Sequence, residues 1–146
     1  MRVNIKYMKL NPNAQAPTCG SSESAGYDLY AAIDGPIGIE PHKTVKVPTG
    51  LSMELPENTF GGIYARSGIA TKEGLRPANC TGVIDSDYRG EIIVALHNDS
   101  DVYRVVEPKE RIAQLIIQPY IKASYEEAEE LSATDRGAGG FGSTGK

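Results

Sequence analysis

The sequence predicts an all-β domain of the sandwich, jelly-roll or barrel kind. Three observations carry this. Short alternating or apolar runs recur along the chain, with turn residues roughly every 8–12 positions. Gly 16 and Pro 9 are high counts for 146 residues and suit many turns. Only residues 67–74 pair a helix start signal with a stop signal.

The elements follow in order. Residues 3–9 alternate and read as a first strand, and residues 11–24, rich in Pro, Ser, Asn and Gly, read as a loop. Residues 25–32 form a strand that sets Tyr27, Leu29 and Ala31 against Asp28 and Tyr30 on the other face. Residues 36–42 give a short strand and turn. Residues 44–55 alternate as one strand, with Pro48 suiting an edge or a bulge. Pro56-Glu57-Asn58 is a turn, and residues 59–65 are a strand in which Gly61-Gly62 invites close backbone approach. Ser67 is the expected N-cap of the helix and Gly74 its stop. Residues 82–97 read as a β-hairpin with Asp85-Ser86-Asp87 at its tip. Residues 103–106 are a strand, 108–110 a turn, and 112–119 the most apolar strand. Residues 126–131 read as extended despite their helix propensity, because the pattern before them is β throughout. The glycine-rich residues 136–146 cannot pack a core and read as a flexible arm.

Composition narrows the function classes. A length of 146 residues with 40% hydrophobic content suits one globular domain. The net charge of −4 argues against a nucleic-acid groove. It leaves room for a polyanionic small ligand if cations are local or a metal helps. Cys19 and Cys80 form no C-x-x-C pair, so neither zinc nor a disulfide is suggested. The N-terminus has no apolar signal region and no stretch reaches transmembrane length, so the expectation is a cytoplasmic protein with no membrane partner. In that compartment the glycosylation patterns at Asn79 and Asn98 carry no meaning.

The chemistry concentrates in Gly82-Val83-Ile84-Asp85-Ser86-Asp87-Tyr88-Arg89-Gly90. An acidic turn alone is ordinary, but Tyr88 and Arg89 exceed what a plain turn needs. A rigid backbone with a few aimed side chains suits a flat, polar ring. Arg66-Ser67-Gly68 joins a guanidinium, a hydroxyl and helix-start N–H groups, the parts of a small phosphate site. Asp28 stands in an otherwise apolar strand, and Gln114 in the most apolar one. The tail matches G-x-G-x-x-G at residues 137–142 and begins like a P-loop at 140–146. Both motifs need a helix after the glycines, and none follows before Lys146, so both are set aside. The same residues can still wrap phosphates, and Phe141 can cover a base.

Five ordered motifs then resemble the homotrimeric dUTP pyrophosphatase family. They are Ala25-Gly26-Tyr27-Asp28-Leu29, Ala65-Arg66-Ser67-Gly68, the stretch 82–90, Arg111-Ile112-Ala113-Gln114-Leu115, and the tail 136–145. They run from near residue 25 to the end. Two small departures stand out: Ala65 where the family usually has proline, and Asp99-Ser100 where a glycine is common.

The resemblance implies a jelly-roll-like β-barrel with one short helix, in two parts: residues 1–131 as the body and 132–146 as an arm closing over the site. It implies a homotrimer with active sites at subunit interfaces and no nucleic-acid partner. The reaction would hydrolyse dUTP to dUMP and pyrophosphate, keeping uracil out of DNA and supplying dUMP for dTMP synthesis. Asp85 would be the general base for a water attacking the α-phosphate. Gly82, Val83, Ile84 and Asn79 would hold uracil, and Tyr88 would pack under the deoxyribose. Arg66, Ser67, Gly68 and Gln114 would hold phosphates. Arg136, Gly142, Ser143 and Thr144 would close from the arm while Phe141 stacks on the base. Asp28 would meet Mg²⁺ through water, the metal riding on the triphosphate. Three rivals are weighed: a dCTP deaminase of the same architecture, or its bifunctional form; a nucleotide-sensing or partner-binding module without turnover; and a purely structural β-trimer, which would give no reason for the tail motif.

Overall fold

Short β-branched and apolar runs, cut by glycine, proline and asparagine, give eleven strands and one helix among residues 3–140, which the computed structural model describes. In chain order they are β1 (Lys6–Lys9), β2 (Tyr27–Tyr30), β3 (Ile37–Ile39), β4 (Thr44–Pro48), β5 (Leu51–Glu54), β6 (Thr59–Tyr64), α1 (Ser67–Glu73), β7 (Leu75–Pro77), β8 (Gly82–Asp85), β9 (Ile93–Asn98), β10 (Arg104–Val106) and β11 (Arg111–Pro119). Four sheets result, in the orders β2-β11-β6-β8, β4-β9-β7, β1-β5 and β10-β3. Every pairing in them is antiparallel. The all-β, jelly-roll-like expectation with one short helix is met.

All four sheets feed one core. Leu29 (β2), Ile39 (β3), Leu51 (β5), Leu75 (β7), Leu96 (β9) and Ile112 (β11) are each at most 1% exposed. Each such burial contributes about 1.5–3 kcal/mol. Asn98 is the polar hub among them: its Nδ2 donates to Ile39 O (3.0 Å) and Val102 O (2.8 Å). Its Oδ1 accepts from Ser100 N at 2.9 Å. These bonds offset the cost of burying its amide.

Three local expectations are corrected. The run 44–55 is two strands, not one. Gly50 takes φ +65° between them, and a Cβ there would fall 2.7 Å from Ala14 Cβ. Thr49, buried in that break, gives its hydroxyl to Ile92 O at 2.6 Å. Pro48 does end an edge strand, β4. The helix starts one residue early: Arg66 is the N-cap, with extended φ −87°, and Ser67 is the first helical residue. Gly74 closes α1 in the left-handed region at φ 71°. Third, residues 82–97 are not a hairpin. β8 pairs with β6, whereas β9 pairs with β4 and β7, so residues 86–92 cross from one sheet to another. Alternation reports a buried face and is silent about the partner strand. The tight turn lies earlier, where Cys80 donates to Pro77 O (3.0 Å) with φ 62°. Residues 126–131 are non-helical, as read.

At the end of β9, Asp99 forms a two-pronged ion pair with Arg76. The Arg76 bond, reinforced by the charges of Arg76, His97 and His42, holds its carboxyl below the usual range. A depressed folded-state value contributes stability that is present above the unfolded pKa of about 4 and is lost as pH falls through the folded one. Thermal unfolding should therefore separate the wild type from Asp99→Asn at neutral pH, and the gap should close as the pH falls below the ordinary carboxylate range. A gap independent of pH would place the effect elsewhere.

Candidate active site

Two clusters of the expected site residues form at opposite corners of the four-stranded sheet. The first surrounds β8. Gly61 and Gly62 of β6 lie opposite Ile84 and Val83, and a Cβ on Gly61 would fall 2.9 Å from Leu115 Cδ1. Bare backbone there makes room for the Leu115 side chain of β11. β8 is an edge strand of its sheet, so one side of its backbone has no strand partner among the described residues. Asp85 then opens a turn closed by Tyr88 N on Asp85 O at 3.1 Å. Arg89 clamps this turn, its guanidinium donating to Ser86 O (2.7 Å) and Tyr88 O (3.1 Å). Ser52 Oγ donates to Arg89 O at 2.6 Å. The Tyr88 hydroxyl donates to Glu91 O at 3.0 Å. Its ring lies against Gly90, where any Cβ would collide with it. Val83, Ile84, Asp85, Tyr88, Glu91 and Ile93 enclose a shallow cleft of about 190 Å³. Val83 is 60% exposed on a strand of apolar character, which marks the cleft wall as a surface for contact.

Asn79 lies on the turn before β8 and is exposed. It is near Gly82: a Cβ on Gly82 would sit 3.5 Å from Asn79 Nδ2.

The second cluster joins β2, β11 and the start of α1. Arg66 Nε donates to Asp28 Oδ1 at 2.7 Å, and Arg111 Nη1 to Asp28 Oδ2 at 3.3 Å. Gln114 faces both Asp28 and Tyr64 in register, and its Nε2 donates to Ala65 O at 2.8 Å. Gly26 makes room for it, since a Cβ there would collide with the Gln114 amide. Ser67 and Gly68 open α1 with exposed backbone, and nothing lies within 4 Å of a Cβ built on Gly68. Two guanidinium groups, one carboxylate and free helix-start N–H groups leave a net positive corner suited to phosphate.

Among the described residues no group of three or more His, Cys, Asp or Glu could hold a metal ion. Mg²⁺ carried by a triphosphate needs only one or two carboxylates and keeps its waters. Asp28, its side chain 17% exposed, offers one such carboxylate.

The sheet does not bring the two clusters together within one chain. β2 and β8 lie on opposite edges, about 14 Å apart across three strand spacings. Asp28 is level with Gln114 and Asp85 with Phe60, which adds roughly 13 Å along the strands. Arg136 lies in neither cluster: its Nε donates to Gly139 O at 2.8 Å, within its own tail. Phe141, Gly142, Ser143 and Thr144 lie outside the described residues. Two participants were missed in the sequence. Arg111 shares Asp28 from a position 83 residues away, and the Glu91 carboxylate accepts from Gly50 N at 2.8 Å. Arg111 could have been found as the unassigned cation beside Gln114.

The family model described as dUTPase matches residues 12–145. The deoxyuridine 5'-triphosphate nucleotidohydrolase of Desulfitobacterium hafniense (strain DSM 10664 / DCB-2) is 45% identical over 146 residues, which is 99% of this chain and 97% of that protein. The enzyme of the same description from Acinetobacter baylyi is 42% identical over 149 residues, covering 100% of this chain and 99% of its own. Among solved structures, a mutant dUTPase of Staphylococcus bacteriophage 80alpha with dUpNHpp aligns at TM-score 0.89 and 27% identity, covering 98% and 99% of the two chains. The chain belongs to the dUTPase family, and its activity is that of a dUTP diphosphatase.

Proposed function

We propose that Asp85 is the general base of this dUTP hydrolysis. The observation that carries the reading is the shared cleft: Asp85, Tyr88 and the β8 wall of Val83 and Ile84 face one space. The unpaired side of an edge strand offers alternating N–H and C=O groups, which complement the edge of a pyrimidine. Uracil sits against Gly82, Val83 and Ile84 with Asn79 beside it, and Tyr88 lies under the deoxyribose. Cytosine would leave buried polar groups unmatched, a difference worth up to about 10⁴–10⁵-fold. Arg66, Ser67, Gly68 and Gln114 hold the phosphates. Asp85 accepts a proton from a water whose oxygen attacks the α-phosphorus in line. The bond from that phosphorus to the bridging oxygen breaks, pyrophosphate leaves, and dUMP keeps the attacking oxygen. When bound, Mg²⁺ neutralises phosphate charge, and Asp28 would hold it through water.

The body is residues 1–131, and 132–146 form the arm that closes Arg136, Phe141, Gly142, Ser143 and Thr144 over the nucleotide. A homotrimer supplies what one chain separates, bringing the β8 corner of one copy to the Asp28 corner of another. The exposure of Ile121 (95%), Tyr125 (97%) and Leu131 (89%) supports a neighbour that covers this segment. The setting is cytoplasmic, where the reaction keeps uracil out of DNA and supplies dUMP for dTMP synthesis. No helix among the described residues is long and apolar enough to cross a membrane.

The test is pyrophosphate release with Mg²⁺ on dUTP, UTP, dTTP and dCTP in parallel. Release from dUTP alone supports the base and sugar assignments; equal release from UTP would remove Tyr88 as the sugar discriminator. A sharper check is Gly26→Ala, which forces Gln114 off Ala65. It should lower kcat/KM for dUTP by about 10²-fold through misplacement of a phosphate contact. Unchanged kinetics would take Gln114 out of the site.

A further inference from the structure

We propose that Arg76 is a positioning residue that sets nucleobase selectivity by bracing the turn at residues 77–81. The inference rests on the reading of Asn79 and Gly82 as base contacts.

Arg76 is the middle residue of β7, opposite His97 of β9. Its guanidinium is used on two sides. Nε donates to Asp99 Oδ2 at 2.5 Å and Nη2 to Asp99 Oδ1 at 3.0 Å. Nη1 faces the other way, toward Pro77 O (3.1 Å), Ala78 O (3.4 Å) and Cys80 Sγ (3.7 Å). One rigid fork thus ties three points of the turn to one carboxylate.

The backbone that carries this carboxylate is anchored. Asp99 N donates to Gly74 O at 2.8 Å. Its neighbour Asn98 is fully buried, with both ends of its amide bonded. The turn is tied to β9 at its start, where Ala78 N donates to Ala95 O at 2.7 Å, and it is the tip beyond that needs holding. Cys80 occupies the left-handed region at φ 62° without being glycine. Its internal bonds are Cys80 N to Pro77 O (3.0 Å) and Thr81 N to Asn79 O (2.7 Å). It carries Asn79 and delivers the chain to Gly82 at the start of β8. The brace therefore acts on the base-facing groups. It makes no bond to Asp28, Arg66, Gln114 or Asp85, so phosphate binding and proton transfer lie outside its reach.

The experiment is steady-state pyrophosphate release by Arg76→Ala, Arg76→Lys, Asp99→Asn and Asn79→Ala, each on dUTP and dCTP. Arg76→Ala should raise KM for dUTP by about tenfold or more, with kcat within about threefold. The dUTP-to-dCTP ratio of kcat/KM should fall at least about tenfold, a part of the discrimination that matched polar groups can supply. Arg76→Lys should not rescue, because an ammonium cannot span both partners. Asp99→Asn should shift the ratio in the same direction. It keeps the side-chain volume and supplies the readout if Arg76→Ala fails to fold. A loss of global stability alone would not move a selectivity ratio. If Arg76→Ala, or Asp99→Asn in its place, leaves KM and ratio unchanged while Asn79→Ala moves them, Arg76 is only a surface ion pair and the proposal falls. If Asn79→Ala also leaves them unchanged, the turn is not the base site, and the proposal falls with that reading.

Discussion

Asp85→Asn should lower kcat for dUTP by about 10²–10⁴-fold while nucleotide affinity stays near the wild-type value. The amide keeps the shape of the side chain but cannot take a proton from water. The surrounding turn survives, because it uses the Asp85 backbone carbonyl and the Arg89 clamp rather than the carboxylate. Affinity is best measured by calorimetry with dUpNHpp, and chemistry by single-turnover hydrolysis. A variant that turns over at close to the original rate would require another base, and Glu91, on the same cleft, would be the next to test.

Removing residues 136–146 should reduce kcat/KM by about 10²-fold or more, since loss of even one aimed donor to a transition-state charge costs about 10²–10³ in kcat. Oligomeric state and melting temperature should hold. Among the described residues the last strand ends at Pro119, and the Arg136 guanidinium is bonded within its own tail, so nothing described there ties the arm to the strands. Light scattering and thermal unfolding check the assembly. A truncated chain that dissociates would make the arm a structural tie instead of a closing element.

How much of this was legible in the sequence follows from the range of the interactions. The helix was legible because its stop is local: Gly74 alone supplies the left-handed residue. Its start slipped by one because Arg66, with no side-chain cap, is not a residue that advertises an N-cap. β8 and β9 were each legible as strands, yet their joining as a hairpin was wrong, since partner choice is fixed by the whole sheet order. The break at Gly50 was hidden because alternation resumes in phase after it, and the neighbours that leave room only for glycine there, Ala14, Asn11 and Ala32, are distant in the chain. The nucleotide motifs stood out by residue type, but their wiring did not. Asp28 meets Arg66 38 positions away and Arg111 83 away, and Arg76 meets Asp99 across 23. Such pairs leave no periodic trace in the chain.

The separation of the two corners of the β2-β11-β6-β8 sheet has a genetic consequence. If each working site borrows one corner from each of two copies, lesions at Asp85 and lesions at Arg66 fall into different complementation groups. Two dead variants, co-assembled, would rebuild some sites with both corners intact, and a cell carrying both alleles would recover part of the activity that neither has alone.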